Sequence, residues 1–380
     1  MAFGIYIHWP YCTRICPYCD FNVYRNRAVD ISLWRDVLTQ DLRWFAEQAG
    51  ERALTSIYFG GGTPSLMSPA LVASLIEQCK DLWHPSDNIE ITLEANPTDA
   101  EQARFRDFRS AGINRLSLGI QSFDDTALQF LGRNHSSIEA RAALDLSLRT
   151  FERTTLDLIY ARPEQSLGGW QQELETALET GVQHLSLYQL TAEPDTAFQK
   201  AVDRKAWALP DDPVQADFYD LTQEVCENAG KPAYEVSNHA APGDESRHNM
   251  LYWTYQDYIG IGPGAHGRLT KATGKEAMTG TKKPGDYLTM PPDAKFQTEP
   301  LQPEDQATEY LLMGLRLQSG IEIERYEQMA GKALPAAQVT QLTDKDLLDL
   351  DERRCKITPA GRKVLNQVVL QLLSDDRSAP

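Results

Sequence analysis

The chain has 380 residues, 42% of them hydrophobic, which is enough to bury one large core and a smaller second one. Asp and Glu outnumber Lys and Arg by 54 to 37, and the net charge of −17 argues against a nucleic-acid partner, because it repels a phosphate backbone. The first residues lack a basic stretch followed by an apolar one, and no apolar run reaches membrane-spanning length. We therefore expect a cytoplasmic globular protein.

The first half of the chain alternates between short β-branched runs and stretches with helical periodicity. Strands are predicted at residues 5–9, 56–60, 89–94, 115–121, 154–160 and 184–190. Helices are predicted at residues 32–48, 69–82, 99–111, 124–131, from 138 onward and at 167–179. This strand-then-helix order implies an α/β fold with a parallel sheet, in which functional residues gather where the strands end.

Three cysteines, Cys12, Cys16 and Cys19, follow the first predicted strand with the spacing C-x3-C-x2-C. Three thiolates on one short loop can bind three corners of a [4Fe–4S] cluster and leave the fourth iron open. A zinc site is the alternative, because His8 could complete a Cys3His set. The other cysteines are too scattered for a disulfide framework, and we interpret them as buried hydrophobic residues: Cys79, Cys226 and Cys355.

Glycines and polar residues stand where the later predicted strands end. The run Gly60-Gly61-Gly62-Thr63-Pro64 lets the backbone approach a ligand closely, but it lacks the Gly-Lys-Ser/Thr of a phosphate-binding loop. Glu94, Gln121 and Asp157 end further strands, and Arg133 lies just beyond the fourth unit. Around one mouth of a sheet, these side chains predict a polar small-molecule site.

Together these motifs resemble the radical S-adenosylmethionine (SAM) proteins of the HemN/HemW family. The motifs are the cysteine loop at 11–21, the glycine run at 60–64, and the segments 93–97, 119–123, 131–135 and 157–160. The resemblance implies a partial (β/α)6 barrel with a small helical, winged-helix-like C-terminal domain. It also implies a [4Fe–4S] cluster whose open iron binds SAM, and whose electron can split SAM into methionine and a 5′-deoxyadenosyl radical.

The resemblance also assigns expected roles to individual residues. Tyr6 and Tyr18 would lie near the adenosyl ligand. The methionine amino group would be received by Gly61, Gly62 and Thr63. The remaining polar surface would be lined by Glu94, Gln121, Arg133 and Asp157. Most relatives have Gly-Leu-Pro after residue 160, where this chain has Ala161-Arg162-Pro163, so we expect the charge of Arg162 to alter the site locally.

Two functions within this family stay open. One is the oxygen-independent coproporphyrinogen III dehydrogenase of haem synthesis, which is an enzyme. The other is a chaperone that binds haem and delivers it to respiratory, membrane-associated haemoproteins. The sequence Cys19-Asp20-Phe21 favours the chaperone, because the dehydrogenases typically continue the cluster motif as Cys-x-Cys. The expected lack of the dehydrogenase's N-terminal extension points the same way.

A second motif, His248-Asn249-x-x-Tyr252-Trp253, resembles the one associated with haem binding in the chaperones. An imidazole can ligate haem iron and flanking aromatic rings can cover the macrocycle, so His248 is the predicted ligand. His239 and His266 are alternative iron ligands. We also expect haem as the bound partner and a homodimer as a possible assembly.

Three domains are predicted: a core at 1–230, an extension carrying the His-Asn-x-x-Tyr-Trp motif at 231–295, and a C-terminal unit at 296–380. Within the last, helices are predicted at 304–317, 323–329, 340–350 and 360–373, with a strand-like run at 357–358 and a frayed tail at 374–380. Acidic residues crowd 343–352, which favours protein packing over DNA binding.

Overall fold

The computed structural model describes residues 2–25 and 29–374. The strands are β1 (Ala2–Trp9), β2 (Tyr11–Cys12), β3 (Tyr24–Arg25), β4 (Ala53–Gly61), β5 (His84–Ala95), β6 (Arg115–Gln121), β7 (Arg153–Tyr160), β8 (His184–Gln189), β9 (Asn238–Ala240), β10 (Asp257–Ile261), β11 (His266–Lys271), β12 (Gly274–Gly280), β13 (Phe296–Pro300), β14 (Ile321–Glu322), β15 (Leu348–Leu350) and β16 (Arg354–Ile357).

The helices are α1 (Ile31–Ala49), α2 (Pro69–Leu82), α3 (Asp99–Gln102), α4 (Phe105–Ser110), α5 (Asp125–Phe130), α6 (Ser137–Thr150), α7 (Leu167–Glu179), α8 (Ala197–Asp203), α9 (Asp212–Asn228), α10 (Arg247–Trp253), α11 (Pro284–Thr289), α12 (Pro292–Lys295), α13 (Pro303–Gly314), α14 (Ile323–Ala330), α15 (Ala336–Asp344), α16 (Pro359–Arg362) and α17 (Leu365–Leu373). Side-chain caps fix several starts. Asp30 accepts from the backbone of Ser32 and Leu33 at α1, and Ser136 forms a capping box with Glu139 at α6.

Six parallel strands form the centre of the main sheet, in the order β1-β4-β5-β6-β7-β8. This confirms the predicted partial barrel and its strand-then-helix units. The sheet also continues at both ends: β9 adds antiparallel to β8, while β10 adds parallel to β1 and is followed by antiparallel β11, β12 and β13. The predicted extension at 231–295 therefore contributes strands to the same sheet as the core.

Alternation along the strands separates an apolar outer face from a polar inner one. On β1, the side chains of Phe3, Ile5 and Ile7 are fully buried in the large hydrophobic core that includes residues of α1 and α2, whereas Tyr6 and His8 point to the other side and hydrogen-bond to each other. Because side chains alternate with a period of two, the polar residues of all six strands face a common interior. That interior is the candidate site.

The predicted helix 360–373 is divided into α16 and α17, and two further helix predictions also differ from the structure. The stretch 99–111 forms two short helices, α3 and α4. Glu101 of α3 accepts a hydrogen bond from the Ser65 hydroxyl, and Arg104, between the two helices, donates to the Ser65 carbonyl. The stretch 340–350 is helical only to Asp344. Asp346 then adopts a positive φ of 55°, and the chain continues as β15, which pairs with β16. In both places tertiary contacts override the local helical pattern.

The C-terminal unit has its own hydrophobic core, formed by α13 to α17 around a small sheet with the order β14-β16-β15. This arrangement agrees with the predicted winged-helix-like unit. Residues 375–380 of the predicted frayed tail lie outside the described residues. Among the described residues, no helix combines the length and apolar character needed to cross a bilayer.

Candidate functional site

A cavity of about 490 Å³ lies inside the barrel and opens at the carboxyl ends of its strands. It brings together eleven of the predicted site residues: Cys12, Cys16, Tyr18, Cys19, Gly61, Gly62, Thr63, Glu94, Gln121, Arg133 and Asp157. Tyr6 and His248 are not among its lining residues. Its volume falls within the range of about 300–1,000 Å³ that is usual for small-molecule and cofactor sites.

The three cysteines lie on the loop that closes the mouth of this cavity. Cys12 belongs to β2, which pairs in parallel with β3, and a turn in which the Cys19 N–H donates to the Cys16 carbonyl at 3.2 Å draws the other two together. Burial raises the pKa of the Cys12 thiol, and it raises that of Cys19 to about 11. Both are therefore protonated at neutral pH in the ligand-free chain, so that binding of a cluster would release protons.

The hydrogen bonds of His8 argue against the alternative Cys3His zinc site. Its Nε2 lies 3.0 Å from the Asn22 carbonyl oxygen, and its Nδ1 lies 3.1 Å from the Tyr6 hydroxyl, so both ring nitrogens are engaged away from the thiols. Within residues 2–25 and 29–374, no group of three or more His, Cys, Asp or Glu side chains is placed to hold a single metal ion.

The glycine run packs directly against the cysteine loop. The N–H groups of Gly62 and Thr63 donate to the carbonyls of Trp9 and Tyr11, at 2.7 and 2.9 Å. A Cβ on Gly62 would come within 2.8 Å of those same carbonyl oxygens. Since these N–H groups are already used, the run offers chiefly carbonyl oxygens and the Thr63 hydroxyl to a ligand. Acceptors are what an amino group requires, so the run fits the amino-group role implied by the resemblance.

Glu94 and Asp157 are two buried carboxyl groups on the inner face of the barrel. Burial, with the nearby Asp157, raises the pKa of Glu94 to about 7, against the opposing hydrogen bonds from the Tyr58 hydroxyl at 2.9 Å and the Gly61 N–H at 3.1 Å. Burial likewise raises the pKa of Asp157 to about 6, although Ser117 donates to it at 3.2 Å. Near neutral pH the pair can therefore hold or accept a proton next to a bound ligand.

Arg133 connects the cysteine loop with the end of β6. Its Nη1 lies 3.4 Å from the Cys16 sulfur and 3.3 Å from the Tyr18 hydroxyl, and its Nη2 donates to the Gly119 carbonyl at 3.0 Å and to Asn96. Three buried polar atoms on the cavity lining lack a hydrogen-bond partner among the described residues: Arg133 Nε, Thr92 Oγ1 and His184 Nδ1. Buried polar groups are normally paired, so these atoms fit a cavity built for a polar ligand.

Gln121 ends β6 with a φ of 69° and lines the cavity. A non-glycine residue in the left-handed region costs of order 1 kcal/mol, and such strain concentrates at functional sites. Ala161 is also left-handed, with a φ of 55°, a conformation that glycine adopts more readily than alanine.

Arg162 does not face the cavity. Its guanidinium donates to the Ile159 carbonyl and pairs with Glu173 of α7 at 2.7 Å, and Glu173 in turn accepts from the backbone N–H of Phe123. The expectation that the charge of Arg162 alters the site is therefore wrong, because the adjacent buried carboxylate of Glu173 neutralises that charge.

His248 lies at the bottom of the barrel with 1% of its surface exposed. Its Nδ1 is 2.7 Å from the Ser56 hydroxyl and its Nε2 is 2.7 Å from the Tyr252 hydroxyl. Burial lowers its pKa to about 3, so the ring is neutral. Tyr6 lies in the same aromatic cluster, stacked on Tyr58 at 6.1 Å. Iron ligation by His248 would require its ring to leave one of these two hydroxyls.

The alternative histidines differ sharply in accessibility. His239 is 1% exposed, neither of its ring nitrogens has a partner among the described residues, and burial lowers its pKa to about 4. His266 is exposed at the start of β11, with its Nδ1 3.2 Å from the Thr279 hydroxyl.

Sequence reasoning missed several cavity residues that precede the predicted ones by two positions. Thr92 precedes Glu94, and Thr155 precedes Asp157; deeper in the barrel, Arg115 and His184 also line the cavity. The period-two alternation of a strand, extended inward from each recognised strand end, would have found them.

The barrel, its open polar mouth and the three-cysteine loop together define a radical SAM protein. In agreement, the family model of the Radical SAM superfamily matches residues 6–177, and that of the HemN C-terminal domain matches residues 301–364. The solved structure of the coproporphyrinogen III oxidase HemN from Escherichia coli superposes with a TM-score of 0.82 at 22% identity, covering 98% of this chain and 90% of that one. At this identity the likeness shows a shared fold.

Curated relatives resemble the chain along nearly its whole length. The heme chaperone HemW of Haemophilus influenzae is 36% identical, with 98% of each chain covered. HemW of Escherichia coli is 38% identical over 79% of this chain and 80% of its own length. Radical S-adenosyl methionine domain-containing protein 1, mitochondrial, of Bos taurus is 38% identical over 98% of this chain and 87% of its own. The chain belongs to the HemW family of radical SAM proteins, and membership implies a [4Fe–4S] cluster and SAM.

Proposed function

We propose that this protein is a haem chaperone, which binds haem together with a [4Fe–4S] cluster and SAM and passes the haem to recipient haemoproteins. The observation that carries the proposal is the full-length likeness to proteins named heme chaperones, at 36% identity over 98% of both chains. Respiratory haemoproteins at a membrane as recipients, a homodimer and a cytoplasmic location belong to the same proposal.

The cluster would be held by Cys12, Cys16 and Cys19. SAM would be bound by residues that line the barrel cavity: Tyr18, Gly61, Gly62, Thr63, Glu94, Gln121, Arg133 and Asp157. Tyr6 acts from behind this lining, through its stacking on Tyr58. When bound, the reduced cluster supplies the electron for reductive cleavage of SAM. The barrel walls exclude water, Arg133 places a positive charge beside Cys16, and the pair Glu94 and Asp157 can hold or accept a proton near neutral pH.

Whether the chain is also an enzyme is a separate question, which one anaerobic assay decides. The protein is incubated with SAM, a reductant and coproporphyrinogen III in one arm. In the other arm it is loaded with haem and mixed with an apo-haemoprotein. We expect haem to appear in the acceptor, measured by its absorption spectrum, without decarboxylation of coproporphyrinogen. Conversion of coproporphyrinogen III to protoporphyrinogen, with no haem transfer, would show that the protein is the dehydrogenase and not a haem chaperone.

A further inference from the structure

The helix α10 separates the barrel cavity from a second cleft. Its residues His248, Asn249 and Tyr252 face the barrel, where Asn249 lines the first cavity. Its opposite face carries Arg247 and Met250, which line the second cleft at the helical spacing i, i+3. The haem-associated motif of the sequence is thus divided between two sides of one short helix, and Trp253 lies on the side of the second cleft.

The second cleft has a volume of about 690 Å³ and is completed by the C-terminal unit. Its apolar and aromatic walls include Met250, Leu251, Trp253, Tyr310 and Leu317. The indole Nε1 of Trp253 is buried and has no hydrogen-bond partner among the described residues. The size is within the range of about 300–1,000 Å³ that is usual for ligand pockets.

Three arginines and two glutamates, Glu245 and Glu322, line this cleft, so its lining is slightly positive although the chain carries a net charge of −17. Arg325 donates to the carbonyls of Thr254 and Tyr255, at 2.8 and 3.2 Å, and Arg354 pairs with Glu322 at 3.1 Å. Arg247 is exposed, and no side-chain hydrogen bond or ion pair joins it to another residue within 2–25 or 29–374. Its guanidinium can therefore receive a carboxylate without giving up a protein partner.

A flat, apolar molecule with carboxylates at one edge fits this combination of walls and charge. We propose that the cleft between α10 and the C-terminal unit is the haem site, in which Arg247 binds a propionate and the side chains of Met250 and Trp253 contact the macrocycle. The inference rests on the proposed function and names the site at which the haem is held. It assigns recognition to the outer face of α10, whereas the ring of His248 stays bonded to Ser56 and Tyr252 inside the barrel.

Haem titration of the full-length protein, followed by absorbance and tryptophan quenching, tests the site. Arg247→Glu places like charge against the propionate, so the dissociation constant for haem should rise about tenfold or more. Ser319→Trp fills the cleft from an exposed position of its lining and should also weaken binding. Arg35→Glu, an exposed arginine of α1 that does not line the cleft, is the matched control. Haem dimethyl ester, which lacks free propionates, should bind weakly and equally to wild type and Arg247→Glu.

The outcomes separate the site from the function. If the wild type binds haem but Arg247→Glu and Ser319→Trp bind it equally well, the cleft is not the haem site, and the chaperone proposal is unaffected. The same holds if His248→Ala alone abolishes the haem spectrum, because recognition then lies inside the barrel. If the wild type binds no haem, the proposed function and the site fail together.

Discussion

Glu94 and Asp157 show how single residues acquire properties from their place in the barrel. Their strand positions predict that both face the interior, and the structure confirms that both line the cavity. Their raised pKa values could not be read from the sequence, because these depend on burial and on side chains from other strands, namely Tyr58 and Asp157 for Glu94 and Ser117 for Asp157. For the same reason the sequence did not reveal that the charge of Arg162 is neutralised, because its partner Glu173 lies on the helix α7.

The raised pKa of Glu94 predicts a pH-dependent stability of the ligand-free chain. Because burial raises the pKa from 4.5 to about 7, the associated stability is fully present below pH 4.5 and is lost as the pH rises through 7. Glu94→Gln should therefore be more stable than wild type by about 3 kcal/mol at pH 8, and similar to it near pH 4.5. Urea unfolding at both pH values measures this difference.

Glu90 provides a control of opposite sign. Burial acts to raise its pKa, but Arg115 and Arg153 outweigh burial and hold it below the usual value of 4.5. Its contribution to stability is thus present above pH 4.5 and lost as the pH falls further. Glu90→Gln should destabilise the chain at pH 8. If both variants shift stability in the same direction at that pH, the burial and pairing assigned to these carboxyls are wrong.

At the scale of elements, the turn after β7 contains a residue whose backbone conformation lowers the stability of the fold. Ala161 adopts a φ of 55°, which glycine tolerates and alanine does not favour. Ala161→Gly should therefore stabilise the chain by about 0.5–1 kcal/mol, measured by urea unfolding. Ala142→Gly, at an exposed position within α6, is the matched control and should destabilise by about 1 kcal/mol. Equal losses in both variants would show that Ala161 is not strained.

The elements themselves were largely predictable. Hydrophobic periodicity identified the six parallel strands and most of their helices, because it acts within a few residues. The break between α3 and α4 and the strand β15 were missed, since Glu101, Arg104 and the pairing of β15 with β16 act through distant contacts. The helical conformation of α10 decides which side each motif residue faces, and only the structure revealed this helix.

At the scale of the whole molecule, the sequence motifs predicted the barrel and the C-terminal unit but not how the segments join. The parallel pairing of β1 with β10 links residues about 250 positions apart, for example Tyr6 with Gly260, and no local pattern encodes such a register. As a result α10 lies against the bottom of the barrel and the C-terminal unit covers its outer face. Both the cavity and the cleft depend on this non-local assembly.

The proposed function depends most on a cluster held by Cys12, Cys16 and Cys19. The most direct measurement is the iron and sulfide content of anaerobically reconstituted protein, together with the electron paramagnetic resonance spectrum of the reduced sample before and after addition of SAM. We predict a [4Fe–4S] cluster in each chain, a signal that changes when SAM binds the open iron, and loss of both in Cys12→Ala, Cys16→Ala and Cys19→Ala. A preparation that takes up zinc and resists iron loading, or a signal that SAM leaves unchanged, would contradict the account.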